Sequence, residues 1–112
     1  MIEINIEKEK DKIVAIEACG HSGYAEAGKD IVCSAVSTLT QTLINGLIEV
    51  VGINVSYEID EKKPYLSVRL PKNLNADKMK ESQILMLSTY LGLKNVLIGH
   101  EKFIKIKEKQ ND

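Results

Sequence analysis

One histidine and one cysteine, His21 and Cys33, stand at the two ends of the glycine-containing run GHSGYAEAGKDIVCSAVS, where an apolar strand-like segment gives way to a helical one. A thiol with an imidazole base is the pairing of an activated sulfur nucleophile. Gly23 and Gly28 let the intervening loop fold back and bring imidazole to sulfur. Asp30 occupies the position of a helix N-cap, which makes Ile31, Val32 and Cys33 the first three helical residues and sets the thiol beside the unpaired N–H groups of the first turn. Thiols in such a field, with an imidazolium nearby, ionise at roughly pH 3.5–7.5 instead of about 8.5. The same N–H groups are candidate donors to a tetrahedral oxyanion, so acyl transfer, most simply peptide hydrolysis, is the reaction these residues suggest. Cys33 lies off the apolar stripe of its helix, with Ser37 one turn on and Thr40 after it.

The elements that must hold this pair follow from periodicity. Ile2, Ile4 and Ile6 alternate with polar residues, and Ile13 to Ala18 resumes after the charged stretch 7–12, as in a hairpin. Val32, Val36, Leu39, Leu43, Leu47 and Val50 form one stripe of a long helix, with Gly52 as its stop. Ile53, Val55, Tyr57 and Ile59, then Leu66, Val68 and Leu70, predict a second hairpin turning at 61–64. Beyond Pro71, Asn75 or Asp77 caps a second helix whose apolar stripe reads Ile84, Leu87, Leu91 and Ile98, and Ile104 and Ile106 alternate in a last strand. The expected fold is α+β in the order β-β-α-β-β-α-β: a two-layer sandwich, mostly antiparallel, with both helices on one sheet face. The other face, left open, is a candidate dimer surface.

Composition narrows the function classes. The chain has 112 residues, 44% hydrophobic and 28% charged, which makes one domain, 1–112, with its own core. Fifteen basic residues interspersed among sixteen acidic ones give a net charge of -1 and no phosphate-binding field, so nucleic acid is not an expected direct partner. No membrane span and no secretory signal are evident, which points to the cytoplasm and to two reduced thiols. No cofactor or metal is expected. The rival set Cys19, His21, Cys33 and His100 has four zinc-type ligands, but Cys-x-His is not a zinc-knuckle gap and His100 is remote. Cys19 reads as the last inward residue of the second strand, and Tyr24 as either a loop anchor or a pocket wall.

The run Gly20-His21, Gly23-Tyr24-Ala25, Gly28, Asp30-Ile31-Val32-Cys33 and Ser37 resembles the signature of the bacterial ribosomal-processing cysteine proteases, and length and element order fit over nearly the whole chain. The resemblance implies a homodimeric endopeptidase that removes a short N-terminal extension from the precursor of a large-subunit ribosomal protein through a covalent acyl-enzyme. Carried over by residue, Cys33 is the nucleophile and His21 the base, with Asp30 and Ser37 in supporting positions and no role for Cys19. A non-catalytic ribosome-assembly or binding module is the alternative.

Overall fold

A computed structural model describes residues 1–20, 29–60, 62 and 64–111, with residues 29 and 30 defined by their backbone. β1 (Ile2–Glu9) and β2 (Lys12–Gly20) form a hairpin whose turn places Lys10 at φ 58°. α1 (Lys29–Asn45) runs on into a π-helical turn, Gly46–Val51, closed by Gly52 at φ 80°. β3 (Ser56–Asp60) and β4 (Tyr65–Arg69) form the second hairpin, followed by α2 (Ala76–Leu97) and β5 (Ile104–Asn111). The sheet order is β3-β4-β2-β1-β5, antiparallel except for the β1–β5 pair. A parallel neighbour needs a crossover, and α2 supplies it by carrying the chain from β4 to the far edge.

The sheet has one buried face. Ile2, Ile4 and Ile6 of β1 sit opposite Gly20, Ala18 and Ile16 of β2, and this face packs on Val32, Val36, Leu43 and Leu47 of the first helical segment and Met86, Tyr90 and Leu93 of α2. Both helices thus cover the same face, as the two-layer architecture predicts. Residues Ile31–Val51 have the length and mean hydropathy, 1.5, of a membrane span, but their apolar stripe is spent on this core.

Three expectations need correction. The stripe Ile84, Leu87, Leu91 and Ile98 points outward, each at least 50% exposed, whereas Ser82, Met86, Thr89, Tyr90 and Leu93 are buried. Two stripes interleave on this helix, and the inner one contains hydroxyls that cost little to bury because each bonds its own backbone, Ser82 Oγ to the Met79 carbonyl and Thr89 Oγ1 to the Leu85 carbonyl, both at 2.8 Å. Val50 is 82% exposed and Val51 takes the inward position, because the wider π turn rotates the stripe by about a residue. The second hairpin begins at Ser56; Ile53 and Val55 are buried in the extended connection before it.

A bulge between Glu7 and Lys8 disturbs the β1–β2 ladder, and the amide of Gln83 compensates. It accepts from the Ile13 N–H at 2.9 Å and donates to the Ile13 carbonyl at 2.8 Å, pinning α2 to β2 as a strand would. On the open face, Ala15 lies between Glu7 and Arg69 in the register, and its small side chain lets the guanidinium reach across β2 to both Glu7 oxygens, at 2.7 and 2.8 Å. Asn111 Nδ2 donates to the same carboxylate at 2.8 Å. The Arg69 bonds, then that of Asn111, hold Glu7 down at about 2 from its ordinary 4.5. A carboxylate with a depressed folded pKa stabilises the fold above its unfolded value and loses that contribution as pH falls through the folded one. The Glu7→Gln variant therefore loses less thermal stability than wild type between pH ~4.5 and ~2, as read by thermal melts across that window.

Candidate active site

Cys33 lines a groove of about 300 Å³ between α1 and the ends of β2, β3 and β4. On the α1 wall, Cys33, Ser37 and Gln41 follow one another at i, i+4 and i+8, so their side chains stack along one helix face. Val36, Thr40, Ala18 and Leu66 contribute apolar lining and buried lining, and Ile59 and Tyr65 come from the β3–β4 hairpin. Thr40 Oγ1 donates to the carbonyls of Val36 at 2.8 Å and Ser37 at 3.2 Å, so this hydroxyl is satisfied within its own helix. Gln41 Nε2 donates to Ser37 Oγ at 2.9 Å, which fixes the serine oxygen and leaves its proton to be donated elsewhere. Tyr65 is held from behind, its hydroxyl donating to Glu17 at 2.8 Å while Asn5 donates to the other Glu17 oxygen at 2.9 Å.

The helix begins earlier than expected. Asp30 is the second residue of α1, not its cap, and Cys33 is the fifth. The unpaired N–H groups are those of the first four residues, so the Cys33 N–H is engaged inside the helix and the sulfur sits one turn in from the positive end. The Cys33 amide is thus not itself one of the unpaired first-turn N–H groups.

His21 and Tyr24 lie outside the described residues. Gly20, which precedes His21 in the chain, lines the same groove as Cys33. It is gripped on several sides: its N–H donates to the Pro64 carbonyl at 3.2 Å, and at φ 148° its Cα faces the N-terminal residues so closely that a Cβ would lie 2.5 Å from the Met1 carbonyl oxygen and 2.6 Å from Ile2 Cα.

The two thiols differ. Cys19 is not inward as expected: it pairs with Glu3 and Tyr65, out of step with the inward Ala18, and so lies on the open sheet face at the groove's edge. Burial, then the carboxylates of Glu17 and Glu3, push its thiol upward and keep it protonated. Cys33 is partly buried and packs against the core at the groove. Of the other zinc candidates, His100 has its Nδ1 at 3.0 Å from the Val96 carbonyl beyond α2, and among the described residues no cluster of three His, Cys, Asp or Glu could hold a metal. Ser37 was legible from its spacing to Cys33, and Gln41 extends the same series one turn further. Ile59, Tyr65 and Leu66 carry no local signal, since only sheet pairing brings them to the thiol.

Residues 1–105 match the family described as Cysteine protease Prp. A protein of Bacillus subtilis strain 168 described as ribosomal processing cysteine protease Prp is 28% identical over 97 residues, covering 86% of this chain and 87% of that protein. The crystal structure of SMU.848 from Streptococcus mutans shares 32% identity with a TM-score of 0.86, over 99% of this chain and 96% of that one. The fold also matches an essential ribosomal processing protease Prp from S. aureus solved in complex with a substrate peptide, with a TM-score of 0.86, 19% identity and coverage of 97% of this chain and 100% of that one. The S. aureus protease with a covalently linked product peptide gives a TM-score of 0.82 at 21% identity over the same shares.

Proposed function

Because the chain belongs to the cysteine protease Prp family, we propose that it is the endopeptidase that trims a short N-terminal extension from a large-subunit ribosomal protein precursor, with Cys33 as nucleophile and His21 as base. The observation that carries the site assignment is that Gly20, the residue before His21, lines the groove that holds Cys33. The Cys33 thiol gives its proton to His21, the sulfur attacks the scissile carbonyl carbon and the C=O pair moves onto oxygen; collapse re-forms the C=O and breaks the C–N bond, expelling the amine, which takes that proton from His21. A water then gives one proton to His21 and its oxygen to the thioester carbon; the C–S bond breaks, leaving Cys33 as thiolate beside protonated His21, and the new carboxylic acid passes its remaining proton to solvent. The covalent product peptide on the S. aureus relative supports a route through this thioester. Asp30 stands three residues before Cys33, a spacing that puts the two positions on neighbouring parts of one helix surface, and since it is not the cap we assign it to orienting His21. Ser37 donates to the substrate backbone, its oxygen being set by Gln41.

The reaction belongs in the cytoplasm, where ribosomal proteins are made. Incubating the protein with the precursor yields, by mass spectrometry, a shortened product with a new N-terminus and the released extension; an uncut precursor that binds equally well would favour the assembly-module alternative. We also assign a homodimer, with α2 and not the open sheet face as its surface. The open face is crossed by the ion pairs and hydrogen bonds of Glu7, Glu17 and Arg69, whereas α2 exposes Ile84, Leu87 and Leu91 at successive turns. The Leu87→Lys, Leu91→Lys variant sediments as a monomer where wild type sediments as a dimer.

A further inference from the structure

β3 is the outer strand of the sheet, with β4 on one side and, among the described residues, no strand on the other. An edge strand directs the N–H and C=O of every second residue outward, a template for another strand. The two edges of this sheet are treated differently. β5 carries Lys105, Lys107 and Lys109, charges that discourage pairing, whereas β3, SYEID, has neither lysine nor proline and pairs with β4 without a bulge.

β3 also shows an uncovered apolar pair. Tyr57 and Ile59 sit opposite Val68 and Leu66, which places them on the helix side of the sheet, yet they remain 54% and 43% exposed. Ile59 belongs to the lining of the Cys33 groove. An open backbone edge, two exposed apolar side chains and the nucleophile's groove are thus continuous.

We propose that β3 is a substrate-docking strand: the peptide segment flanking the scissile bond adds to the sheet as a sixth strand along Ser56–Asp60, its alternate apolar side chains packing on Tyr57 and Ile59. The proposal rests on the reading of the chain as a peptidase. Strand addition holds a peptide through main-chain hydrogen bonds and leaves specificity to side chains at a two-residue period. It also presents the backbone extended, as attack on a single carbonyl requires. A second copy of the chain is a poorer fit, because a five-residue strand with two exposed apolar residues falls well short of the ~800 Å² per partner of a standard stable interface. The larger exposed apolar stripe lies elsewhere, on α2.

The test uses a synthetic peptide spanning the cleavage junction of the precursor, with one backbone amide N-methylated at a time. Cleavage by wild type gives kcat/KM, and binding to Cys33→Ala, by fluorescence anisotropy, gives Kd. Docking on β3 makes every second amide in one flank of the junction sensitive, each N-methyl group costing roughly tenfold or more in both quantities, a factor of ten being about 1.4 kcal/mol. Ile59→Asp and Tyr57→Asp weaken binding by about tenfold or more while each keeps the circular dichroism of the folded protein. Cleavage of the unmodified peptide with no two-residue period and no effect of either substitution overturns the docking strand and leaves the peptidase standing. Absence of both cleavage and binding overturns the peptidase reading, and the proposal with it. Slow hydrogen exchange along β3 without peptide, rising with protein concentration, means that a second copy occupies the edge and likewise overturns it.

Discussion

Replacing Cys33 by alanine abolishes precursor cleavage, a loss of about a thousandfold or more in kcat/KM, and His21→Ala does the same to within a factor of about ten, since nucleophile and base act as one unit. Circular dichroism stays unchanged in Cys33→Ala, because Cys33 is only partly buried and is not among the fully buried side chains that build the core, and the same measurement checks the fold of His21→Ala. The stronger form of the test compares the two thiols of one chain. Cys19, held protonated by burial and by Glu17 and Glu3, is the internal standard. At pH 6, wild-type Cys33 is carboxamidomethylated about tenfold faster than Cys19 or more, as read by peptide mass spectrometry, and His21→Ala removes that advantage. Equal alkylation of the two thiols in wild type would sink the assignment of Cys33 as nucleophile; an advantage unchanged by His21→Ala would sink the assignment of His21.

How far the sequence could be read depended on whether a position is decided by its neighbours or by distant partners. Ile2, Ile4 and Ile6 alternate cleanly because one sheet face is buried and the other is wet, so local period and tertiary burial say the same thing. Val32, Val36, Leu43 and Leu47 behave likewise on a helix. In α2 the two diverge. Ile84, Leu87 and Leu91 make the better apolar stripe, but the inward face is fixed by Gln83 engaging the bulged strand at Ile13 and by Tyr90 donating to Glu108 of β5 at 2.6 Å, neither of which has a periodic signature. The π turn is equally silent, since a helix widened by one residue shifts Val50 and Val51 without changing composition. The site shows the same division: Cys33, Ser37 and Gln41 are a helical series, whereas Ile59 and Tyr65 reach the groove only through the pairing of β4 with β2.

Gly20→Ala lowers kcat/KM by about a hundredfold while the protein still folds. At φ 148° the backbone is disfavoured for a residue with a Cβ, and the added carbon would meet main-chain atoms, the Met1 oxygen at 2.5 Å and Ile2 Cα at 2.6 Å, which cannot swing aside as a side chain can. The strand end must shift, pulling Gly20 away from its register with Ile2 and its N–H from the Pro64 carbonyl at the point where the chain departs for His21. Displacement of a catalytic group by about 1 Å costs on the order of a hundredfold, whereas strain at one residue costs only ~1–3 kcal/mol of stability. The fully buried Ile4, Ile6 and Ile16 lie further along the hairpin and keep the core. Gly52→Ala is the control: it too has a positive φ, 80°, but nothing lies within 4 Å of its added carbon, and it stands at the end of the π turn, outside the groove lining. It lowers the melting temperature with kcat/KM unchanged. If Gly20→Ala also loses only stability, the end of β2 does not position the base, and the catalytic geometry must be set from the α1 side alone.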